Sequence, residues 1–308
     1  MGALNETWDC IVVGAGAAGL SAALVLGRAR RRTLVVDAGE QSNRAAEAIG
    51  GFLGADGEAP AAFYERARAA LERYPAVSFR AGSVADGESA DSGFLLRAED
   101  GAEVRTSCVL LATGMDYRPP DVPGIAERWG GSVFHCPFCH GWEVRDGALG
   151  ILDHDESGTH RALLLRSWSE DVTLYTNGHG APEAAAGLEA AGVSIDDRPV
   201  LELSGEGDGL AAIRFRDGSE RRCDALLVPV TLHQRSGLAT RLGAPLAEPS
   251  PLTADAIAVD GLGATTVPGL YAAGDVTGRM PSVANAVGSG SIAATAIVQR
   301  LTATPARD

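Results

Sequence analysis

The stretch His135-Cys136-Pro137-Phe138-Cys139-His140-Gly141-Trp142-Glu143 holds the side chains of this sequence best suited to chemistry. Cysteines three positions apart at the start of a helix can close a small redox-active disulfide. The helix N-terminus lowers a thiolate pKa, and a neighbouring imidazolium lowers it further. His135 and His140 flank the pair and are suited to moving protons near neutral pH. Cys136, Cys139, His140 and His135 are therefore the candidate catalytic residues. Three other readings stand beside this one. Cys-Pro-Phe-Cys-His also fits c-type haem attachment, which goes with export. A zinc site would need two further ligands, and neither a second C-x-x-C nor a paired His appears. Two inert core thiols are the third. Cys10, Cys108 and Cys223 sit in or beside apolar runs and read as core thiols. Phe138 and Trp142 suit either a substrate pocket or core packing.

A second constellation binds rather than reacts. The apolar run 10–13 leads straight into Gly14-Ala15-Gly16-Ala17-Ala18-Gly19, and a helical pattern follows. The first glycine permits the tight turn, the second lets a pyrophosphate reach the backbone, and the third lets helix and strand pack closely. The helix N-terminus offers N–H groups to the phosphates. Asp37 lies 18 residues past Gly19, at the tip of the next strand. A carboxylate there accepts ribose hydroxyls. Two more strand ends, Ala112-Thr113-Gly114 and Ala273-Gly274-Asp275, complete the set. Asp275 suits a ribityl hydroxyl. Pro281-Ser282-Val283-Ala284 opens a helix whose N-terminus suits a flavin pyrimidine ring.

These residues need elements to hold them. The pattern predicts a helix over 60–73 and strands near 77–84, 93–98 and 108–112. A second strand–turn–helix begins at 149–153. Its helix is predicted over 158–168, with a strand at 171–175 and a helix at 182–191. Strands follow at 193–204, 211–216 and 223–230, and a helix over 282–301 closes the chain. Alternating strands and helices predict an α/β protein with largely parallel sheets. The 308 residues suit two Rossmann-like, doubly wound, three-layer domains. The expected division is 1–117 with 245–308 as the FAD-binding domain, and 118–244 as an inserted unit carrying the cysteines.

Composition excludes several classes. The net charge is −14, and all 26 basic residues are Arg. So acidic a chain repels phosphate backbones and anionic membranes, so neither nucleic acid nor membrane is an expected partner. Without Lys there is no Schiff-base chemistry and no Lys-bearing phosphate loop. No apolar run approaches the ~18–20 residues of a membrane span. No secretory signal is seen and five sparse cysteines make no disulfide framework, so the expected location is the cytoplasm.

The order of Gly14 to Gly19, Asp37, Ala112-Thr113-Gly114, Cys136 to Cys139 and Gly274-Asp275 resembles the low-molecular-weight thioredoxin reductases over about 9–300. Cys-Pro-Phe-Cys-His-Gly-Trp-Glu followed by Arg166-Ser167-Trp168-Ser169 resembles one branch of them. That branch is the FAD-dependent dithiol oxidases that close disulfides in holomycin, gliotoxin and romidepsin. The resemblance implies a thioredoxin reductase-like fold, FAD as cofactor, no metal and a homodimer. It implies that Cys139 is the flavin-side sulfur and Cys136 the sulfur that exchanges with substrate. It implies FAD contacts from Gly14, Gly16, Ala17 and Ala18, and from Asp37 and Ala38. Further contacts are implied from Gln41, Asn43 and Arg44, from Val84, and from Ala112, Thr113 and Gly114. Gly274, Asp275, Ser282, Val283 and Ala284 complete that set.

One stretch departs from a reductase. Where a second glycine turn would bind NADPH, the chain reads Gly150-Ile151-Leu152-Asp153-His154-Asp155-Glu156-Ser157-Gly158. Asp153, Asp155 and Glu156 are expected to face the pyrophosphate position and repel it. Tyr175-Thr176-Asn177-Gly178 brings no basic residue for a 2′-phosphate. The alternative is a divergent nucleotide site that still works. The expected activity is therefore oxidation of a small-molecule dithiol, with electrons passing through the cysteines and FAD to O2. A disulfide reductase fed by NADPH or ferredoxin is the alternative, and a flavin-bound protein that sequesters a dithiol without turnover is a third.

Overall fold

The structure is a computed structural model and describes residues 7–90 and 92–303. The chain forms two compact units. The first comprises Met1–Ser42, Pro60–Tyr117 and Thr231–Asp308; the second comprises Asn43–Ala59 and Arg118–Val230.

The first unit is built on a seven-stranded sheet. Val77–Ala81, Thr33–Asp37, Thr7–Val13 and Glu103–Leu111 lie side by side, all parallel. These strands read as unbroken apolar runs because both faces are covered: Ile11, Val12, Val35 and Leu110 are fully buried. The central strand Glu103–Leu111 splits its partners. Its last residues pair with the parallel Leu270–Ala272, and its first with the antiparallel Gly93–Ala98. Two helices, Ala17–Arg28 and Val283–Ala303, pack against each other beside this sheet. A Cβ on Gly290 would strike the Ala18 carbonyl, so the helices meet backbone to backbone.

The second unit has three layers. Its middle is a five-stranded parallel sheet in the order Val193–Asp196, Val172–Tyr175, Leu149–Leu152, Ala225–Leu227, Val133–Phe134. Alternate side chains serve opposite faces. Leu149, Ile151, Val172 and Leu174 pack with Ala162 and Leu165 of the helix Glu156–Leu165. Leu152, Tyr175 and Leu226 pack with Leu203, Ile213 and Phe215 of an antiparallel three-stranded sheet.

Three sequence expectations change. The run 193–204 is two strands in two sheets, Val193–Asp196 and Val200–Ser204. Pro199 breaks it, since proline cannot donate to a central ladder. The later change of unit falls at 230/231 rather than at 244/245, because Thr231–Gln234 pairs with Met115–Arg118. The following helix Leu238–Arg241 packs on the strand Val84–Ala90. Finally, 43–59 groups with the second unit although chain order places it inside the first.

Candidate active site

Pro137–His140 form a single helical turn with Cys136 as its N-cap. Proline at the first helical position costs no hydrogen bond and presets the helical φ. The turn brings the two sulfurs to 2.6 Å, with the Cys139 thiol donating to Cys136. That hydrogen bond, aided by the backbone N–H groups of Cys139 and Phe138, outweighs burial and pulls the Cys136 thiol down to about 7. Cys136 is thus more acidic than an ordinary cysteine.

The two histidines differ from expectation. Burial pushes His135 down to about 4, with His140 adding to the effect, and burial also lowers His140. Neither is an imidazolium at pH 7, so hydrogen bonds rather than a neighbouring cation stabilise the thiolate. The His135 ring stacks on Trp129 at 5.8 Å and the His140 ring on Phe134 at 5.4 Å. Both His140 ring nitrogens are buried and lack a partner in good hydrogen-bond geometry. A neutral imidazole at pH 7 has a lone pair free to take a proton. Cys10, Cys108 and Cys223 are buried, and burial lifts Cys108 to about 11 and Cys223 to about 12. They are inert core thiols. Phe138 is 64% exposed and Trp142 66%, so neither is core. Phe138 meets Trp168 edge-on at 5.6 Å, and Arg145 lies 4.0 Å over the Trp142 ring.

The first unit carries the cradle. Gly14 has φ +102°, and a Cβ there would run into the Ala112 carbonyl, which ties the glycine turn to Ala112-Thr113-Gly114. A Cβ on Gly16 would meet nothing nearer than the Gln41 side chain at 4.0 Å, so the backbone is open to a ligand there. Gly16 caps the helix without a side-chain hydrogen bond, leaving the N-terminus of a 12-residue helix to an anion. Asp37 is buried and accepts from the Ala15 N–H at 3.0 Å. Ala38 and Gln41 follow it in the same unit, and Val84 is buried at the head of its strand. A Cβ on Gly274 would stand 3.0 Å from the Ala18 Cβ, so the late strand end lies close to the start of the first helix. Asp275 is buried deeply enough that its carboxyl is pushed up, while the Tyr117 hydroxyl, donating at 2.8 Å, works against this. A carboxylate so placed needs hydroxyl donors, which a ribityl chain supplies. Ser282 accepts from the Asn285 N–H at 3.1 Å and starts the C-terminal helix, followed by Val283 and Ala284. The residues present fit FAD. Asn43 and Arg44 belong instead to the unit that holds the cysteines.

Sequence reasoning missed Tyr117, Ser289, whose hydroxyl accepts from the Gly274 N–H at 3.0 Å, and Arg235, which pairs with Asp116 at 2.9 Å. Tyr117 stands 158 residues from Asp275, and no local pattern links them.

In the second unit, Asp153, Asp155 and Gly158 follow their strand with the same spacing as Gly14, Gly16 and Gly19. Gly158 keeps the close-packing role, since a Cβ there would meet the Asp153 Cβ at 2.7 Å. The other two glycines are aspartates. Asp155 caps the helix Glu156–Leu165, accepting from the N–H groups of Ser157 at 2.8 Å and Gly158 at 3.1 Å. The Ser157 hydroxyl and these N–H groups hold its carboxyl below the usual range. Asp153 corrects the sequence reading. It does not present a free charge to a pyrophosphate, because it is buried and ion-paired with Arg161. Beside it the His154 and His179 rings stack at 3.9 Å.

A family model described as pyridine nucleotide-disulphide oxidoreductase matches residues 8–152 and 174–290. Thioredoxin reductase tcpT of Claviceps purpurea is 35% identical over 298 residues, covering 92% of this chain and 91% of that one. Among solved structures, an oxidoreductase from Agrobacterium tumefaciens superposes with a TM-score of 0.91 at 36% identity, covering 97% of this chain and 100% of that chain. HlmI superposes with a TM-score of 0.87 at 37% identity, covering 97% and 94%. The chain belongs to the pyridine nucleotide-disulphide oxidoreductase family, an enzyme family of FAD-binding flavoproteins.

Proposed function

We propose that the chain is an FAD-dependent dithiol oxidase that closes an intramolecular disulfide in a small-molecule natural product. The balance is dithiol plus O2 giving cyclic disulfide plus H2O2. The observation that carries this reading is the Asp155 carboxylate at the helix N-terminus where a second nucleotide would place its pyrophosphate. A fixed anion there already satisfies the N–H groups and repels another. Electrons then enter from thiols rather than from NADPH.

Cys136, in the disulfide with Cys139, is the sulfur attacked by a substrate thiolate. The Cys136–Cys139 bond breaks and Cys139 leaves as thiolate. The second substrate thiol, losing its proton to His140, attacks the substrate sulfur of the mixed disulfide. The cyclic disulfide departs and Cys136 leaves as thiolate, which its lowered pKa favours. His135 is the second candidate for the base. FAD, when bound, supplies the two-electron acceptor for the Cys136–Cys139 dithiol and the route to O2. Gly14, Gly16, Ala17 and Ala18 would hold its pyrophosphate, Asp37 its ribose and Asp275 its ribityl chain. HlmI and tcpT, whose similarity to this chain is given above, support a disulfide-exchanging role of this kind.

The test is stoichiometry. Purified protein given a small dithiol and air, with no pyridine nucleotide, should consume one O2 and release one H2O2 for each dithiol oxidised. Oxygen uptake that appears only when NADPH is added would refute the reading.

A further inference from the structure

Residues 43–59 make a strap that lies on the redox turn within the second unit. A Cβ on Gly50 would strike the Cys139 carbonyl oxygen and stand 2.9 Å from its carbon and 3.1 Å from its Cα. All three are backbone atoms, so nothing flexible can give way. The strap touches the redox cluster a second time. A Cβ on Gly130 would meet the Ala45 carbonyl carbon at 2.7 Å and its Cβ at 2.9 Å. The Gly130 carbonyl faces the His140 ring.

The strap is braced from within. Ile49 is buried, and it donates to the Glu58 carbonyl and accepts from the Gly57 N–H, both at 2.9 Å. Ala55 donates to the Phe52 carbonyl at 2.9 Å, and Asp56 accepts from the Gly51 N–H at 2.8 Å. A closed, self-bonded loop of this kind transmits a displacement at one point to the others. Leu53, by contrast, is 98% exposed.

We propose that this strap is the positioning element of the redox pair, with Gly50, seated flat on the Cys139 peptide, setting the Cys139 sulfur against Cys136. Gly50 is a positioning residue and touches no reacting atom. The proposal rests on Cys136 and Cys139 being the redox pair, and it asks nothing of substrate, oxygen or nucleotide.

The structure makes the consequence measurable. Cys136 owes its lowered pKa first to the hydrogen bond from Cys139. A Cβ on Gly50 pushes the Cys139 peptide away, and a peptide so displaced turns its thiol out of line with Cys136 and loses that bond. The readout is the rate at which iodoacetamide alkylates Cys136 across pH 5 to 9 in phosphine-reduced, FAD-loaded protein, with the site read by peptide mass. Wild type should show a midpoint near 7. Gly50→Ala should move it toward the ordinary ~8.5 and slow alkylation at pH 6 by roughly 5–10-fold, after allowing for the greater nucleophilicity of a more basic thiolate. Asp56→Ala, which only loosens the brace, should shift it the same way by less. Leu53→Ser should leave it unchanged. If Gly50→Ala does not fold, Asp56→Ala decides. A folded Gly50→Ala or Asp56→Ala protein with the wild-type profile overturns the proposal. Wild-type protein that shows this profile but no oxygen uptake with a small dithiol would count against the oxidase reading instead.

Discussion

Cys136 and Cys139 share one turn, and the separate tasks proposed for them can be told apart by single substitutions. Cys136→Ser should cut dithiol turnover by at least ~1000-fold, the scale on which losing a nucleophile is felt. Cys139→Ser should cut it equally, yet its remaining Cys136 thiolate should open a strained cyclic disulfide such as lipoamide and keep it as a mixed disulfide visible in the intact mass. Both variants should retain FAD, because neither residue lies in the glycine cradle. Absence of the adduct on Cys139→Ser would reverse the assigned roles. His135 leaves a mark on stability. Its ring is held near 4 when folded and returns to about 6.5 when unfolded. The unfolded chain therefore binds the proton first, so stability is complete above about pH 6.5 and is lost as pH falls toward 4. Urea midpoints measured between pH 7 and pH 5 should fall, and His135→Gln should flatten that slope. The meeting of Cys136 and Cys139 on one turn was legible in the sequence because their spacing is local. The neutral state of the two histidines was not, since burial is a property of the folded unit.

The two glycine-spaced turns show what an element can do with one carboxylate. Gly16→Asp would set a side chain and a negative charge over the open helix N-terminus, and purified protein should lose its stoichiometric FAD absorbance. Retention of that absorbance would reject the cradle. Asp155→Ala removes a working cap from the helix Glu156–Leu165 and should cost about 1 kcal/mol in chemical denaturation. No loss would mean that the carboxylate does not serve the helix. The sequence showed that the second turn lacked two glycines, and the spacing alone aligned Asp153 and Asp155 with them. It could not show that Asp153 turns inward to Arg161 while Asp155 stays at the helix end. That choice depends on Arg161, eight residues past Asp153, and on the room Gly158 leaves. Strand limits behaved similarly: the buried runs were plain, but Pro199 was needed to divide 193–204 between two sheets. The strap over 43–59 was invisible, since nothing local says that Gly50 meets Cys139.

At the scale of the whole chain, one unit holds the glycine turn and the other the two cysteines, which is the division the proposed chemistry needs. The strand and motif order made that division readable, while its borders followed pairings between distant segments, as of Met115–Arg118 with Thr231–Gln234. Among the described residues no helix is long and apolar enough to cross a membrane. The thioredoxin reductase-like plan leads us to expect a homodimer. Sedimentation at micromolar concentration should give about twice the chain mass of 31.6 kDa, and a mass of one chain would remove that expectation.

The central claim is that electrons enter through thiols and not through a pyridine nucleotide, and the flavin itself reports which. Anaerobic protein should be mixed in a stopped flow with NADPH in one run and with a small dithiol in another, following the loss of yellow absorbance. The dithiol should bleach the flavin fast and saturably, NADPH at micromolar concentration should not, and colour should return on admission of air. Fast, saturable bleaching by micromolar NADPH would contradict the claim.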